Sequence, residues 1–318
     1  MDSTIPVAVD PREARGRTAV GFLYALVATI LWSIVPIGIK YLLRQALDPF
    51  TIAFSRFVLA SSALWLIAKA RGKVRPVNRA DLPLYLMGGI GMAGNYILYA
   101  LGLQYTTASA TNIIVQDEVV ALVILSHFIL GERIGRVRVL GMLFAVCGIA
   151  VVLWNGQSLA ALVNSQYLLG NVIILFAGLS WPLYGLAQKL LSRRMVSSTL
   201  GLTYIFGVAA ILSAVPAALG ANVHGRLEVP VFAWLFLVGV VSTGAAYLCL
   251  ARAFSMLAAS TVAVTTCMLP IFTLVTAAIF LGEPLTPVIA LGAAFVVAGI
   301  GIIGRDEAAF QQNRNSEQ

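Results

Sequence analysis

The stretch LWSIVPIGIK at residues 31–40 places a tryptophan, a proline and a lysine in an otherwise apolar run. A related stretch, LSWPLYGLAQK, occupies residues 179–189. A shift of 149 residues superimposes Trp32 on Trp181, and in both copies the lysine follows the tryptophan after eight positions. The two related stretches predict an internal duplication, and that duplication decides the fold.

The ends of the two copies also match. ILGERIGRVRVLGMLFAVCGIAVVL at residues 129–153 aligns with FLGEPLTPVIALGAAFVVAGIGII at residues 280–303 at a shift of 151. The same shift pairs the Ala-Ser dipeptides at residues 108–109 and 259–260. We therefore predict two copies of a unit of about 150 residues, with a polar tail at each end. The predicted bounds are 1–17 for the N-terminal tail, 18–156 for the first unit, 168–304 for the second unit and 305–318 for the C-terminal tail.

The composition predicts that both units lie in a membrane. Of the 318 residues 60% are hydrophobic and 11% are charged, and the mean hydropathy is +0.92, far above that of an ordinary soluble domain. Several uncharged runs reach the roughly 18 to 20 residues that cross a bilayer as a helix. We expect an all-α integral membrane protein with ten transmembrane helices, five in each unit. The predicted spans are 19–43, 50–70, 82–103, 109–130, 137–155, 168–190, 199–221, 231–253, 259–281 and 286–304.

An odd number of spans in each unit has a topological consequence. After five crossings the second unit enters the bilayer from the opposite side, so the two units are predicted to form an inverted repeat. Two inverted five-helix repeats can enclose a central cavity and expose a site in it alternately to either side. We therefore expect a small-molecule substrate between the units and a lipid bilayer around them.

The charge pattern predicts an orientation. The net charge is +8, but the basic residues lie in short links between apolar runs rather than on one solvated face, which argues against nucleic-acid binding. With a cytoplasmic N-terminus, 17 of the 21 Lys and Arg residues fall on the cytoplasmic side. We expect a multi-pass protein of a bacterial-type inner membrane with both termini in the cytoplasm. The sequence does not distinguish a monomer from a homodimer.

The tryptophans and lysines of the repeated stretch each have two interpretations. Lys40 and Lys189 fall near helix ends, where each ammonium either reaches the headgroups from a buried stem or stands as a charged group at a mouth of the pathway. Trp32 and Trp181 fall in mid-span, away from the interface where tryptophan collects, so they either pack in the core or line the cavity.

Pro36 and Pro182 fall in the middle of the first helix of each unit. A proline removes one helical hydrogen bond and clashes with the carbonyl four residues earlier, which belongs here to Trp32 and Gly178. Such a kink is tolerated in a membrane only where neighbours or water satisfy the freed carbonyl. Both prolines are therefore candidate gating hinges, with a static kink as the alternative.

Arg56, Asp117 and Glu118 bring charge into the predicted spans. At the rise of a helix the two acids lie roughly 12 to 14 Å from the outer start of the fourth span, and Arg56 lies roughly 10 Å from that of the second. Because an unpaired charge at that depth is costly, we expect Arg56 to pair with one of the acids. Neighbouring helical residues point about 100° apart, so the other acid can face the cavity as a proton or substrate site. Structural pairing alone is the alternative.

Further polar side chains in the spans need partners, which a wet cavity or another helix can supply. The candidates for the cavity wall are Asn95, Tyr96, Tyr99, Gln116 and Tyr247. Glu132 and Glu283 follow glycines in tight links, where each is expected to cap the helix that comes next. The three cysteines lie in apolar runs without metal-ligand spacing, and we expect neither a metal nor a cofactor.

These motifs resemble a known family. The Trp-x7-Lys stretch that opens each unit, the Ala-Ser at the start of the fourth span and the Leu-Gly-Glu link with its downstream glycines are similar to EamA-type permeases of the drug/metabolite transporter superfamily. The resemblance covers residues 18–304. It implies ten helices in two inverted halves around a central cavity, and members that export amino acids and other small metabolites. One departure is Val119, which stands where the second unit has Pro270, so a gating role for that proline does not extend to the first unit.

The resemblance implies a secondary transporter that exports small metabolites, amino acids in first place, by alternating access, with protons as a candidate coupling ion. Drugs, sugars and nucleotide-type metabolites stay open as other substrate classes, although phosphorylated substrates call for several cations at mid-membrane. The chain has no GxxxxGK[ST] loop for ATP-driven pumping. A channel is a weaker alternative. An intramembrane enzyme is also weaker, because neither an HExxH nor a GxSxG motif is present, and we expect no enzymatic activity.

Overall fold

The computed structural model describes residues 11–130, 134–154, 165–220, 228–257, 262, 265–266 and 268–316. All regular structure in these residues is helical, which confirms the predicted all-α class for this part of the chain. The predicted cap at Glu132 and the second Ala-Ser pair, at residues 259–260, lie outside the described residues.

Each unit contributes a series of helices in chain order. The first unit contains α1 (Pro11–Ser33), α2 (Val35–Arg44), α3 (Pro49–Ala70), α4 (Leu82–Leu103), α5 (Ala108–Ile114), α6 (Asp117–Leu130) and α7 (Arg136–Trp154). The second unit contains α8 (Leu168–Arg193), α9 (Ser198–Gly220), α10 (Val229–Phe236), a π-helical segment (Leu237–Ala245), α11 (Ala246–Met256), α12 (Leu269–Leu281) and α13 (Pro287–Ser316).

Eight helical runs in the described residues are long and apolar enough to cross a membrane. Three of these runs combine shorter pieces: α1 with α2, α5 with α6, and α10 with the π-helical segment and α11. The eight runs fall at the first eight predicted spans. Two shorter apolar helices, Leu269–Leu281 and Pro287–Ile303, overlap the ninth and tenth. The structure therefore gives eight candidate spans where the sequence predicted ten.

Two spans that were predicted as single helices are interrupted. The first breaks at Ile34, just before Pro36, and the hydroxyl of Thr276 donates to the Ser33 carbonyl at this break over 3.2 Å. The fourth breaks at residues 115–116, between α5 and α6, without a proline. By contrast, α8 continues through Pro182. The two prolines of the repeated stretch therefore have different effects: one separates two helices and the other lies inside one.

Side chains satisfy the free amides at several helix starts. The Asp48 carboxylate accepts from the amides of Phe50 and Thr51, both over 2.9 Å, at the start of α3. Thr107 caps α5 in the same way. Caps of this kind contribute about 1 kcal/mol each. At its C-terminal end, α12 is followed by Gly282, which adopts a φ of +66°, a left-handed conformation that glycine takes without strain.

Helices of the two units pack against each other in reciprocal pairs. α4 packs on α8. The helix that matches α4 in the second unit, α11, packs in turn on α1, which matches α8 in the first unit. Likewise α6 packs on α8, and α12 packs on α1. Two further pairs join a helix to its own match in the other unit: α3 with α9, and α7 with α13. A two-fold axis relating the two units would produce this pattern of pairs.

Glycines bring α7 and α13 into backbone contact. A Cβ built on Gly148 would lie 2.6 Å from the carbonyl oxygen of Gly292, and one built on Gly141 would lie 2.7 Å from that of Gly299. Small residues permit such close approach between membrane helices. Because the later glycine of one helix meets the earlier glycine of the other, these two matching helices run antiparallel.

Candidate functional site

Aromatic side chains from both units pack into one cluster. The rings of Trp32 in α1 and Tyr247 in α11 lie edge to face with centroids 5.1 Å apart. From α8, the Tyr184 ring lies 5.5 Å from that of Tyr247, and Trp181 Nε1 donates to the Tyr247 hydroxyl over 3.2 Å. Phe206 in α9 packs 5.5 Å from Tyr247. We call these five residues the aromatic cluster, and Tyr247 is the ring on which it converges.

A buried cation lies at the edge of the aromatic cluster. The ring of Phe57 in α3 packs 4.6 Å from that of Tyr96 and 5.9 Å from that of Phe206. The guanidinium carbon of Arg56 lies 4.2 Å from the centroid of the Tyr96 ring, close enough for a cation–π interaction. Arg56 Nη2 also donates to the hydroxyl of Thr243 over 3.1 Å. The Arg56 guanidinium is thus held by an aromatic face and a neutral hydroxyl.

The predicted ion pair between Arg56 and Asp117 or Glu118 is wrong for this structure. Among the described residues, the guanidinium has its hydrogen bond to Thr243 and its ring contact to Tyr96, and neither acid lies within salt-bridge distance of it. Equal depth in the membrane sets only the height of a residue along the bilayer normal. The rotation of α6 and the break before it turn both acids elsewhere.

Asp117 begins α6, and its carboxylate lies against α8. A Cβ on Gly178 would overlap Asp117 Oδ1, so only a glycine leaves room for the carboxylate there. Oδ1 is buried and has no hydrogen-bond partner within the described part of the chain. Gly178 is also the residue whose carbonyl loses its helical partner to Pro182. A buried carboxyl oxygen therefore lies against the α8 backbone at Gly178, at the boundary between the units.

Glu118 points to a different surface from its neighbour. Neighbouring helical residues point about 100° apart, and the Glu118 side chain is partly buried. Both acids belong to the first turn of α6, where the positive end of the helix dipole favours negative charge. The two acids therefore point in different directions, with the Asp117 carboxylate against the kinked helix α8.

Two of the polar residues predicted for the cavity wall hold helices together. The Tyr99 hydroxyl donates to Asn112 Oδ1 over 2.7 Å, and Asn112 Nδ2 donates to the Thr273 hydroxyl over 2.6 Å, which links α4, α5 and α12. Asn95 Nδ2 donates to the Ala177 carbonyl of α8 over 2.8 Å. These two side chains obtain their partners from other helices, which is one of the two predicted alternatives.

The other predicted wall residues are grouped differently. Trp32, Trp181 and Tyr247 belong to the aromatic cluster, and Tyr96 lies at its edge, where its ring contacts the Arg56 guanidinium. Gln116 is buried at the break between α5 and α6. The structure therefore assembles four of the predicted residues into one site.

Glu283 joins the two units. Its Oε1 accepts from Lys40 Nζ over 3.0 Å and from the Ala108 amide over 2.8 Å. Its Oε2 accepts from the amide of Ser109 over 3.0 Å and from the hydroxyl of Ser109 over 2.8 Å. We call these four residues the Glu283 cluster. The prediction that Glu283 caps the helix after it is therefore wrong, because the free amides it reaches belong to α5 of the other unit.

The surroundings of Glu283 keep its carboxyl ionised. Burial acts to raise the pKa of this group, but the amides of Ser109 and Ala108 and the ammonium of Lys40 outweigh it and hold the pKa below its ordinary value. Lys40 thus has a fixed counter-ion, which neither interpretation of the sequence anticipated. Its match Lys189 lies near the C-terminal end of α8 and is partly buried, and its two interpretations stay predictions.

Sequence reasoning missed the π-helical segment and the hydroxyl groups that it presents. Ser242 and Thr243 are fully buried in it, and Thr243 Oγ1 donates to the Val238 carbonyl five residues earlier, over 2.7 Å. Wider turns of this type are frequent at functional sites. The available signal was a pair of adjacent hydroxyl residues inside an uncharged span. No group of three or more His, Cys, Asp or Glu residues placed to hold a metal occurs in the described ranges.

Comparison with known proteins places this arrangement in context. Residues 19–154 and 168–305 each match the model of the EamA-like transporter family. The "uncharacterized inner membrane transporter YhbE" of Escherichia coli (strain K12) is 30% identical over 299 residues, which cover 89% of this chain and 90% of the relative.

Two further similarities concern function and fold separately. A "probable terminal-alkyne amino-acid exporter" of Streptantibioticus cattleyicolor is 28% identical over 270 residues, which cover 83% of this chain and 87% of the relative. A solved crystal structure superimposes with a TM-score of 0.64 at 18% identity, covering 91% of this chain and 97% of that one. At that identity the solved structure supports the fold alone.

Proposed function

Because the chain belongs to the EamA-like transporter family of the drug/metabolite transporter superfamily, we propose that this membrane transporter exports small metabolites, amino acids in first place, across a bacterial inner membrane. The observation that carries the proposal is the aromatic cluster beside Arg56, to which both units contribute. An aromatic site with one cation suits a small amphipathic zwitterion better than a phosphorylated compound, which calls for several cations. The amino-acid exporter of Streptantibioticus cattleyicolor supports the same substrate class.

Alternating access between two inverted units is the proposed mechanism. The antiparallel contact of α7 with α13 and the reciprocal packing of the other helix pairs support it, because inverted units can exchange conformations about a site between them. The Glu283 cluster also ties the end of α2 and the start of α5 to the link before α13. In the proposed orientation both termini are cytoplasmic, and this cluster lies towards the outer face.

A counterflow experiment tests the substrate class. Purified protein in proteoliposomes is preloaded with one unlabelled compound, and uptake of the same radiolabelled compound is followed for a panel of amino acids, sugars and nucleotide sugars. We expect uptake of at least one amino acid above that of protein-free liposomes. Uptake of sugars or nucleotide sugars alone would replace the proposed substrate with one of the alternative classes, and uptake of none of the panel would contradict the proposal.

The variant Tyr247→Ala should lower that uptake by about tenfold or more, since a lost contact worth 1.4 kcal/mol is a tenfold loss in affinity. It removes the ring on which the aromatic cluster converges. Phe128→Ala is the matched control, because the Phe128 side chain is 77% exposed. Equal uptake by both variants would show that the aromatic cluster takes no part in transport.

Proton coupling at Asp117 is part of the proposal. An ionised Asp117 carboxylate buried against the uncharged α8 backbone is costly, whereas a protonated one is neutral. The nearest ionisable neighbour is Glu118 on the same helix, and α8 presents the Gly178 backbone. Gain and loss of a proton would therefore change the contact between α6 and α8.

We expect Asp117→Asn to abolish the stimulation of uptake by an imposed pH gradient while counterflow continues, because asparagine is a permanent donor that cannot be deprotonated. Uptake is measured in proteoliposomes with and without the gradient. Asp48→Asn is the control, since asparagine caps a helix as well as aspartate does. Full stimulation in Asp117→Asn, combined with its loss in Glu118→Gln, would assign the coupling to Glu118 instead.

A further inference from the structure

Arg56 is a buried cation without an acidic partner in the described residues. The residue is 3% exposed, and its guanidinium contacts the ring of Tyr96 and the hydroxyl of Thr243, both of which are neutral. A buried charge without a counter-ion is destabilising, and replacing it by an apolar residue is often neutral or stabilising. The cost of keeping Arg56 charged and buried points to a role in binding.

Two buried polar atoms, one on α3 and one on the π-helical segment, have no partner among the described residues. Arg56 Nε and Ser242 Oγ are both enclosed and make no hydrogen bond to any described residue. The π-helical segment that carries Ser242 packs directly on α3, where a Cβ built on Gly239 would lie 3.4 Å from Arg56 Cα. A free donor of the guanidinium and a free hydroxyl are therefore available on adjacent elements, one from each unit.

The neighbouring hydroxyl is already committed. Thr243 donates its proton to the Val238 carbonyl, so its oxygen is free to accept from Arg56 Nη2. This contact and the Tyr96 ring fix the guanidinium plane but leave its Nε side unused. Arginine binds a carboxylate through two parallel N–H donors, which makes an oriented guanidinium a suitable receptor for that group.

We propose that Arg56 and Ser242 bind the carboxylate of the transported compound, an inference that rests on the proposed function and names the chemical group recognised. The carboxylate supplies the missing counter-ion, accepts from Arg56 Nε and accepts from the Ser242 hydroxyl. Both atoms are enclosed in this conformation, so the carboxylate reaches them when the units move apart. Compounds in which the carboxylate is replaced by a neutral amide are rejected, because they leave the buried charge unpaired.

Matched pairs of ligands test the inference. The unfolding temperature of the purified full-length protein is titrated with L-leucine, L-phenylalanine and L-threonine, with the amide of each, and with lactate and pyruvate. We expect at least one of these carboxylates to stabilise the wild-type protein. The amide made from that compound, whether an amino acid, lactate or pyruvate, should bind at least about tenfold more weakly. Equal responses to acids and amides, including no response to either, would overturn the inference.

Variants locate the binding group. Arg56→Met should lose at least about tenfold in affinity for the stabilising carboxylate, while Arg56→Lys, which keeps the charge but lacks the second donor, should lose less. Lys69→Met is the matched control, because Lys69 also lies over an aromatic ring on α3, that of Trp65, but is exposed. Unchanged carboxylate affinity in Arg56→Met would overturn the proposal.

The unliganded stability of the same variants separates binding from structure. If Arg56 serves binding, Arg56→Met should unfold at the same temperature as the wild-type protein or higher, since it removes an unpaired buried charge. A large loss of stability in both Arg56→Met and Arg56→Lys, with the acid–amide difference retained in Arg56→Met, would assign Arg56 a structural role and overturn the proposal. Stabilisation through Arg56 by lactate or pyruvate alone would keep the carboxylate site but contradict amino-acid export.

Discussion

Replacing Glu283 by alanine is expected to lower the free energy of unfolding by about 3–5 kcal/mol, the range for removing one partner of a buried ion pair. The side chains of Lys40 and Glu283 are only 19% and 10% exposed, so the substitution leaves a largely buried ammonium without its counter-ion. It also leaves the first amides of α5, at Ala108 and Ser109, without their acceptor. Unfolding of the purified protein in detergent, followed by tryptophan fluorescence, measures the loss.

Two comparisons isolate the contact. Glu228→Ala removes an exposed carboxylate that makes no side-chain cap, and it should change stability by no more than about 0.5 kcal/mol. The double variant Lys40→Met/Glu283→Ala should be less destabilised than Glu283→Ala, because no ammonium is left unpaired. A loss in Glu283→Ala no larger than in Glu228→Ala would show that the Glu283 cluster does not hold the units together.

The same carboxylate gives stability a pH dependence of known sign. Its pKa in the folded protein lies below the ordinary value of 4.5. The contribution of Glu283 is therefore fully present where the unfolded chain is ionised, above about pH 4.5, and is lost as the pH falls through the lower pKa of the folded state. Wild-type and Glu283→Ala proteins should accordingly converge in stability in acid and differ most near neutrality.

Filling the glycine contact between α7 and α13 is the second substitution with a large expected effect. Gly148→Ala would place a Cβ 2.6 Å from the carbonyl oxygen of Gly292, and backbone atoms cannot turn aside as a side chain can. Overpacking of this kind costs about 1–3 kcal/mol. The double variant Gly141→Ala/Gly148→Ala should lose about 2–6 kcal/mol, because sites two helical turns apart add approximately. Unfolding in detergent again provides the measurement.

Gly301 offers a control on the same pair of helices. Nothing lies within 4 Å of a Cβ built there, so Gly301→Ala should raise stability by about 0.5–1 kcal/mol through the lower helix propensity of glycine. The substitution is chemically identical to Gly148→Ala and opposite in expected sign. Equal effects at the two positions would mean that α7 and α13 do not approach each other as closely as described.

The broad features of the fold could be predicted from local properties of the chain. Hydropathy identified the spans, because the free-energy cost of placing a segment in lipid depends on the residues of that segment alone. The repeated stretches at residues 31–40 and 179–189 identified the duplication and the family, which the two matches of the family model confirm. The interruption at Ile34 lies beside the kink predicted at Pro36. The interruption at residues 115–116 was missed, since it has no proline and a membrane helix breaks where its neighbours satisfy the freed backbone groups.

The candidate site was predicted only in part. Trp32, Trp181, Tyr96 and Tyr247 were singled out from their residue types and positions, and the structure brings them together. The pairing of Arg56 with an acid was wrong, because a depth estimate carries no information about which way a helix is turned. A rotation by one residue moves a side chain about 100° around the helix, enough to exchange one neighbouring helix for another.

By itself the sequence determined that this chain is a duplicated membrane transporter of the EamA type, because composition, span length and repeat spacing are properties of consecutive residues. Only the tertiary structure decided that Glu283 meets Lys40 across 243 positions, that Asp117 lies against Gly178, and that Arg56 has Thr243 and Tyr96 for neighbours. The physical reason is that contacts between distant segments depend on the rotation, breaks and close approach of helices. Those features follow from the packing of the whole bundle.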